Sequence, residues 1–359
     1  MTSNVPSRRP NRREFAVLAS CAALSSHFAI PAQAQVPKEG AGKPTGPAMR
    51  AAAAALIVGS RADVRNKLSF AFDAPERHRW TYVPGTRAGV TLDDMEPDER
   101  KLAMNLLAAS LSRTGHEKAT GVMKLAAVLK ETRGFGRGQG AYAFAVFGKP
   151  EPDSLWGWRV EGHHLSLNFT SLGDRVISAT PHCVCADPME VTMGLYAGIA
   201  PIHREDYIGR DLVRNLDDEQ LARTRRTGDV PNDVRAGPRR AEIAAEPGGI
   251  AFPELSNETQ RHLMLGIAET YISNLPDDLA RAHMTRLESA VRDLRFEWAG
   301  GFETSDLHYY RLYSPALSIE YATRERANHV HTLWREPGND FGRAALAAAG
   351  QKDLPPQSA

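Results

Sequence analysis

Between Asp98 and Lys130 the apolar side chains return every three or four residues: Leu102, Leu106, Leu107 and Leu111, then Val122, Leu125, Ala126 and Leu129. That is the spacing of one helical face, so two helices are predicted, near Asp98–Leu111 and His116–Lys130. A second pair obeys the same rule over Ser256–Asn274 and Pro276–Val291, with Leu263, Ile267 and Tyr271, then Leu279, Met284 and Leu287. Ser256 suits an N-cap, and Pro276 suits a first turn, where its missing N–H leaves nothing unsatisfied. After each pair the rhythm changes to short runs of aromatic and β-branched residues broken by Gly, Pro, Asp and Ser, the mark of antiparallel strands. Between the two regions, Ile202–Arg226 reads as helical. Thr227–Phe252 reads as a long connection, which is either functional or mobile.

The two strand-rich regions match in register. Laid on one another without a gap, Phe144 falls on Phe296, Gly148 on Gly300, Glu151 on Glu303, Leu155 on Leu307, Arg159 on Arg311, Leu165 on Leu317 and Ser166 on Ser318. One further strand is expected after each, at Arg175–Thr180 and Asn328–Trp334. The predicted fold is therefore α+β, a single domain over 48–347 with an internal duplication at about 98–182 and 256–334. Each half would be a helix pair followed by an antiparallel β-meander, with the halves related by a pseudo-twofold and sharing one core. Residues 35–47 read as a flexible lead-in and 348–359 as a flexible tail.

Composition narrows the function. The 359 residues are 42% hydrophobic and 24% charged, enough for a sizeable core. Lys+Arg 44 against Asp+Glu 43 leaves a formal charge of +1, which argues against a phosphate-backbone binder, so no nucleic-acid partner is expected. No apolar run reaches the ~20 residues of a membrane-spanning helix, so no integral membrane span is expected. Three cysteines are too few for a disulfide scaffold.

The chain opens with Asn11-Arg12-Arg13-Glu14-Phe15, an apolar stretch from Ala16 to Ile30, and Ala32-Gln33-Ala34. This pattern predicts a twin-arginine-type signal peptide over 1–34, cleaved before Gln35. Leu18-Ala19-Ser20-Cys21 offers a lipoprotein alternative with a shorter apolar core. Loss of 1–34 removes four arginines and one glutamate and leaves a net charge of −2. The expected location is periplasmic or secreted, and the first partner is the twin-arginine translocation machinery. That route carries chains already folded, which suits a protein loaded with a cofactor before export.

Histidine is the candidate for chemistry. His163 and His164 lie where one strand turns into the next, and His329 and His331 project from one face of a strand. Imidazoles with a carboxylate suit a divalent transition metal of the Zn, Cu, Fe or Mn type. The expected ligands are His163, His164, His329 and His331, with Glu320 as fifth ligand or general base and His308 behind them. Arg159, Arg311 and Arg335 would orient an anionic group. The corresponding activity is a metalloenzyme, an oxidoreductase or hydrolase, on a small or polymer-derived substrate. A metal-free imidazole cluster, and a non-catalytic protein that binds a small-molecule ligand between its halves, are the alternatives.

These histidines break the internal match, since His163 and His164 fall on Pro315 and Ala316, and His308 on Trp156. Cys183 and Cys185 read as ordinary thiols, a soft-metal pair or a small-ring disulfide. The glycine run Arg133–Gly140 lacks the strand–turn–helix setting of a dinucleotide loop.

Three strings carry a resemblance: Trp156-Gly157-Trp158-Arg159, Gly162-His163-His164-Leu165-Ser166-Leu167-Asn168, and the run from Ala327 to Gly342 that contains Asn328-His329-Val330-His331 and Trp334-Arg335-Glu336-Pro337-Gly338. In that order they resemble the bacterial proteins grouped as domain-of-unknown-function family 3500, from about Ala51 to Ala347. The resemblance implies that the four histidines belong to the family pattern, and it brings no settled activity. It also implies that Cys183-Val184-Cys185 is particular to this chain. The Ala-rich end stands where relatives often carry a His-Tyr pair, so a ligand from that tail would be missing.

Overall fold

The computed structural model describes residues 44–133, 138–238 and 248–350. The expected signal peptide, most of the lead-in, the centres of the glycine run and of the long connection, and residues 351–359 lie outside the described residues. The chain enters through α1 (Thr45–Gly59) and α2 (Ala62–Leu68), so residues 45–47 of the expected lead-in already belong to a helix. The inward face of α1 is narrow, Met49, Ala53 and Leu56, which is why its rhythm is faint in an alanine-rich run.

Short strands β1 (Ser69–Phe70) and β2 (Val90–Thr91) precede α3 (Pro97–Ser110) and α4 (Arg113–Arg133). Pro97 opens α3, and the Glu99 carboxylate turns back to accept the Glu96 N–H at 2.8 Å, which stops the helix unravelling at its start. Next come β3 (Ala143–Gly148), β4 (Leu155–Gly162), β5 (Leu165–Leu172), β6 (Arg175–Ser178) and β7 (His182–Val184). The predicted helical stretch after them is two helices, α5 (His203–Arg214) and α6 (Asp218–Thr224). β8 (Ile250–Ala251) leads into α7 (Glu258–Ile272) and α8 (Asp277–Ser289). Asn257 caps α7 by accepting the Gln260 N–H at 3.0 Å, so the cap lies one residue after Ser256, and Pro276 sits just before α8. β9 (Arg295–Gly300), β10 (His308–Ser314), β11 (Leu317–Thr323), β12 (Val330–Arg335) and α9 (Arg343–Ala348) complete the nine helices and twelve strands among the described residues.

All twelve strands form one sheet, ordered β1-β3-β4-β5-β7-β12-β11-β10-β9-β8, with β2 added on β3 and β6 on β5. Every pairing is antiparallel except β1 with β3. The fold class is α+β.

The order is palindromic about β7 and β12, and the registers repeat at the offset read from the sequence. Phe144 pairs with Val160, and Phe296 pairs with Leu312. Arg159 pairs with Asn168, and Arg311 with Glu320. Ser166 pairs with Cys183, and Ser318 with Arg335. In each case the second pair lies 152 positions after the first. The partner of β12 in this scheme is β7, not the strand expected at Arg175–Thr180. That segment is β6, an extra strand laid on the end of β5 with a bulge at Thr170/Ser171 inside the pairing. β6 pairs with Thr170–Leu172 and β7 with Leu165–Leu167, so the two short strands share one edge of β5.

The two faces of the sheet differ in chemistry because alternate residues point opposite ways. One face carries Phe144, Trp158, Phe169, Phe296, Tyr310 and Tyr321, packed with Leu106, Val122, Ile267 and Tyr271 of the helices. Trp158 stacks on Phe169 at 5.0 Å and Tyr310 on Tyr321 at 5.0 Å, contacts worth about 0.5–1.5 kcal/mol each beyond burial. The other face carries buried Arg159, Glu161, Cys183, Glu297, Arg311, Glu320, His331 and Arg335. It is covered by loops that contribute Trp80, Tyr82, Val234 and Ala236. Sequence periodicity shows that such residues share a face. It does not show that the face is covered.

Candidate metal centre

The site forms where the β4–β5 turn meets the start of β12. Gly162 pairs with Leu165, so the turn contains only His163 and His164. His164 takes φ +67°, a left-handed conformation that costs a side-chain-bearing residue about 1–2 kcal/mol. The conformation is held by two backbone bonds: the His164 N–H donates to the Tyr82 carbonyl, and its own carbonyl accepts the Cys185 N–H, both at 2.8 Å. The buried ring thereby comes to the residues that open β12. His329 Nε2 lies 3.2 Å from His164 Nε2 and 3.2 Å from His331 Nε2. One ligand atom from each of the three rings falls within 4.8 Å of the others.

Carboxylates set the proton positions. His329 Nδ1 lies 2.9 Å from Glu325 Oε1, and His331 Nδ1 lies 2.8 Å from Asp233 Oδ1. The hydrogen bond from His329 is the main reason the Glu325 carboxyl falls to about 2. Burial pushes Asp233 up, but the hydrogen bond from His331, the charge of Arg324 and the bond from the Val234 N–H outweigh it, so this carboxyl also stays below its usual range. Ionised carboxylates only accept, so each Nδ1 carries the proton and each Nε2 presents a lone pair. Burial lowers the pKa of His329 and holds His164 well below the ordinary histidine value, which keeps these imidazoles neutral.

The carboxylates are themselves anchored. Asp233 accepts the Tyr82 hydroxyl at 3.1 Å and Arg324 at 2.9 Å, and Asp187 accepts Arg326 at 2.5 Å while lying 3.8 Å from His329 Nδ1.

The other expected residues go elsewhere. His163 stacks on His164 with centroids 3.8 Å apart, outside the group of three, and burial with nearby Arg87 lowers it to about 4. Glu320 accepts the backbone N–H groups of Arg235 (2.5 Å) and Ala236 (2.8 Å) and the Tyr309 hydroxyl (2.8 Å). It thus fixes the loop that delivers Asp233. His308 lies on the opposite face of the sheet, between Trp298 and Tyr321, with Asp206 at 3.3 Å.

The three arginines are engaged within the buried polar layer. Arg159 pairs with Glu161 at 3.2 Å, Arg335 with Asp340 at 2.5 Å, and Arg311 lies over the Tyr313 ring at 4.3 Å. Cys183 and Cys185 are buried free thiols with Sγ atoms 3.3 Å apart. Burial pushes Cys183 well up.

Asp233 and Glu325 are absent from the sequence reading. Glu325 stands four residues before His329, a spacing that offered a signal, and Asp233 lies in the long connection flagged as functional or mobile. No helix among the described residues is long and apolar enough to cross a membrane.

A family model described as "Protein of unknown function (DUF3500)" matches residues 43–343. No curated protein and no solved structure matches the chain.

Proposed function

The chain belongs to the DUF3500 family, and we propose that this member is an exported, His-ligated metalloenzyme whose metal ligands are His164, His329 and His331. One observation carries the reading. His329 and His331 each donate an Nδ1–H hydrogen bond to a carboxylate, so two Nε2 lone pairs face each other across 3.2 Å. Two acceptors at that distance repel unless a cation lies between them. Two nitrogens each about 2.0–2.1 Å from one tetrahedral ion are about 3.3 Å apart, which agrees with the spacing here. The carboxylates behind the rings favour a dication and disfavour an anionic ligand, which weighs against a metal-free anion site.

Three imidazoles leave a coordination position for water or an oxygen donor. A bound divalent ion would acidify that water or polarise the donor, which fits a hydrolase or an oxidoreductase acting on a small or polymer-derived substrate. Export rests on the twin-arginine-type opening at Arg12 and Arg13 and gives a periplasmic or secreted location. The repeated register, the palindromic strand order and the joining pair His182–Trp334 support two ancestral copies related by a pseudo-twofold.

Elemental analysis of the purified protein tests the reading. About one transition-metal ion per chain is expected, falling to near zero in His331→Ala, with affinity down more than ~100-fold. Sub-stoichiometric metal that His331→Ala leaves unchanged would overturn it.

A further inference from the structure

A second site lies on the other side of the molecule, at the far end of β12 from the histidines. A cavity of about 810 Å³ opens between α8 and α9. Its volume falls within the range of small-molecule pockets. Leu279, Ala282 and Leu287 of α8 form one wall, while α9 presents Ala344, Ala345 and Ala348. The space exists because α9 offers only methyl groups where a leucine or phenylalanine would reach across. Ile177 and Trp334 line the interior.

Part of the lining is charged. Buried Glu336 is satisfied from within: His283 lies at 3.2 Å, Arg286 at 3.1 Å and the Asn339 amide at 3.3 Å. With that carboxylate offset by Arg286 and satisfied by His283 and Asn339, exposed Arg175, which also lines the cavity, leaves an excess positive charge on its wall. A largely apolar cavity whose lining includes the guanidinium groups of Arg175 and Arg286 is complementary to one kind of molecule.

We propose that this cavity binds a monoanionic amphiphile, a carboxylate on an unbranched or ring-bearing apolar body, with the anion at Arg175 and Arg286 and the body against Trp334 and the alanines of α9. It shares no residue with the histidine centre and does not depend on a metal there. Its walls come from β6 in the first strand-rich region and from α8 and β12 in the second.

The test uses the full chain and 8-anilinonaphthalene-1-sulfonate, an apolar fluorescent anion, displaced by decanoate or by neutral 1-decanol. Decanoate should displace the probe at concentrations at least tenfold lower than decanol. Arg175→Ala, at an exposed position, should reduce that preference to threefold or less. Ala348→Phe should remove probe and decanoate binding, with Ala345→Leu as a second filling substitution, while metal content and the unfolding midpoint stay at wild-type values. Undiminished decanoate displacement in folded Ala348→Phe would place the binding elsewhere and overturn the proposal. Equal potency of acid and alcohol would overturn it too, since the arginines would then not be reading the charge. Because metal content is read on the same samples, failure here is distinguishable from failure of the histidine centre.

Discussion

The two hairpin ends of the sheet, β4–β5 and β10–β11, occupy matching positions and do opposite things. Both turns are closed by a strand pair that leaves two residues free, Gly162–Leu165 around His163 and His164, and Ser314–Leu317 around Pro315 and Ala316. In the first, His164 adopts a left-handed backbone and its ring turns inward to two other imidazoles. In the second, Pro315 fixes a conventional turn, Ala316 keeps an ordinary φ, and Ala316 with Leu317 borders the apolar cavity. The frame is common, and one turn's backbone decides whether its end carries polar chemistry or apolar space. A fold-level explanation covers what the two ends share. It covers neither the histidines nor the cavity.

The sharpest way to separate the ends, after removal of a ligand, is to remove an anchor. Asp233→Ala leaves all three imidazoles but frees the His331 ring, so metal affinity should fall about 10–100-fold in a chelator competition. An unchanged affinity would mean that the strand alone orients His331. Ala316→His, in contrast, should add no metal, because that turn does not present its side chain from a left-handed residue.

A smaller effect separates the faces by pH. Burial lowers His308 to about 4, against the raising influence of Asp206, and burial with nearby Lys118 lowers His182 to about 3. Both lie on the helix-covered side, away from the proposed ligands. Because their folded values lie below the unfolded ~6.5, the unfolded chain binds protons first on acidification. Stability is therefore complete above pH ~6.5 and declines as pH falls towards 4. We expect the melting temperature of metal-free protein to drop roughly 5–10 °C between pH 7 and 4.5, with part of the drop lost in His308→Gln and part in His164→Gly, whose ring is also held below its unfolded value on the other face. A slope unchanged in His308→Gln would break the assignment of acid sensitivity to the helix side.

The smallest effect concerns the turn itself. Glycine takes φ +67° without penalty, so metal-free His164→Gly should be as stable as the parent or up to ~1 kcal/mol more so, measured by denaturant unfolding. A loss of 2 kcal/mol or more would show that the ring, not the backbone bonds, holds the turn.

Much of the frame was legible because periodicity is local. Leu102, Leu106 and Leu107 mark α3, and the Phe144/Phe296 alignment foretold strand registers that recur in the sheet. The end of the first repeat was read less well, since β6 pairs only with the end of β5 and β7 takes its expected place beside β12. Which of two short strands lies next to β12 depends on contacts far apart in the chain, which local periodicity does not encode.

At the site, the strand spacing placed His329 and His331 together, and the turn placed His164. Asp233 was not legible, because its approach depends on Glu320 gripping the backbone of Arg235 and Ala236 from another strand. Arg159, Arg311 and Arg335 look like surface cations by composition. Only the covering loops make them interior, where charges are rare unless paired.

The seam between β7 and β12 is short, with Leu333 on Cys183 and Trp334 on His182, extended by the bridge from Ala186 to Val330. His164 stands on one side of that seam, and His329 and His331 on the other. An ion held by all three would act as a rivet through the joint, so its departure would loosen the molecule along one line. Hydrogen exchange at Val184 and Leu333 would then report occupancy from a distance, and in a protease-rich compartment the loaded chain would outlive the empty one.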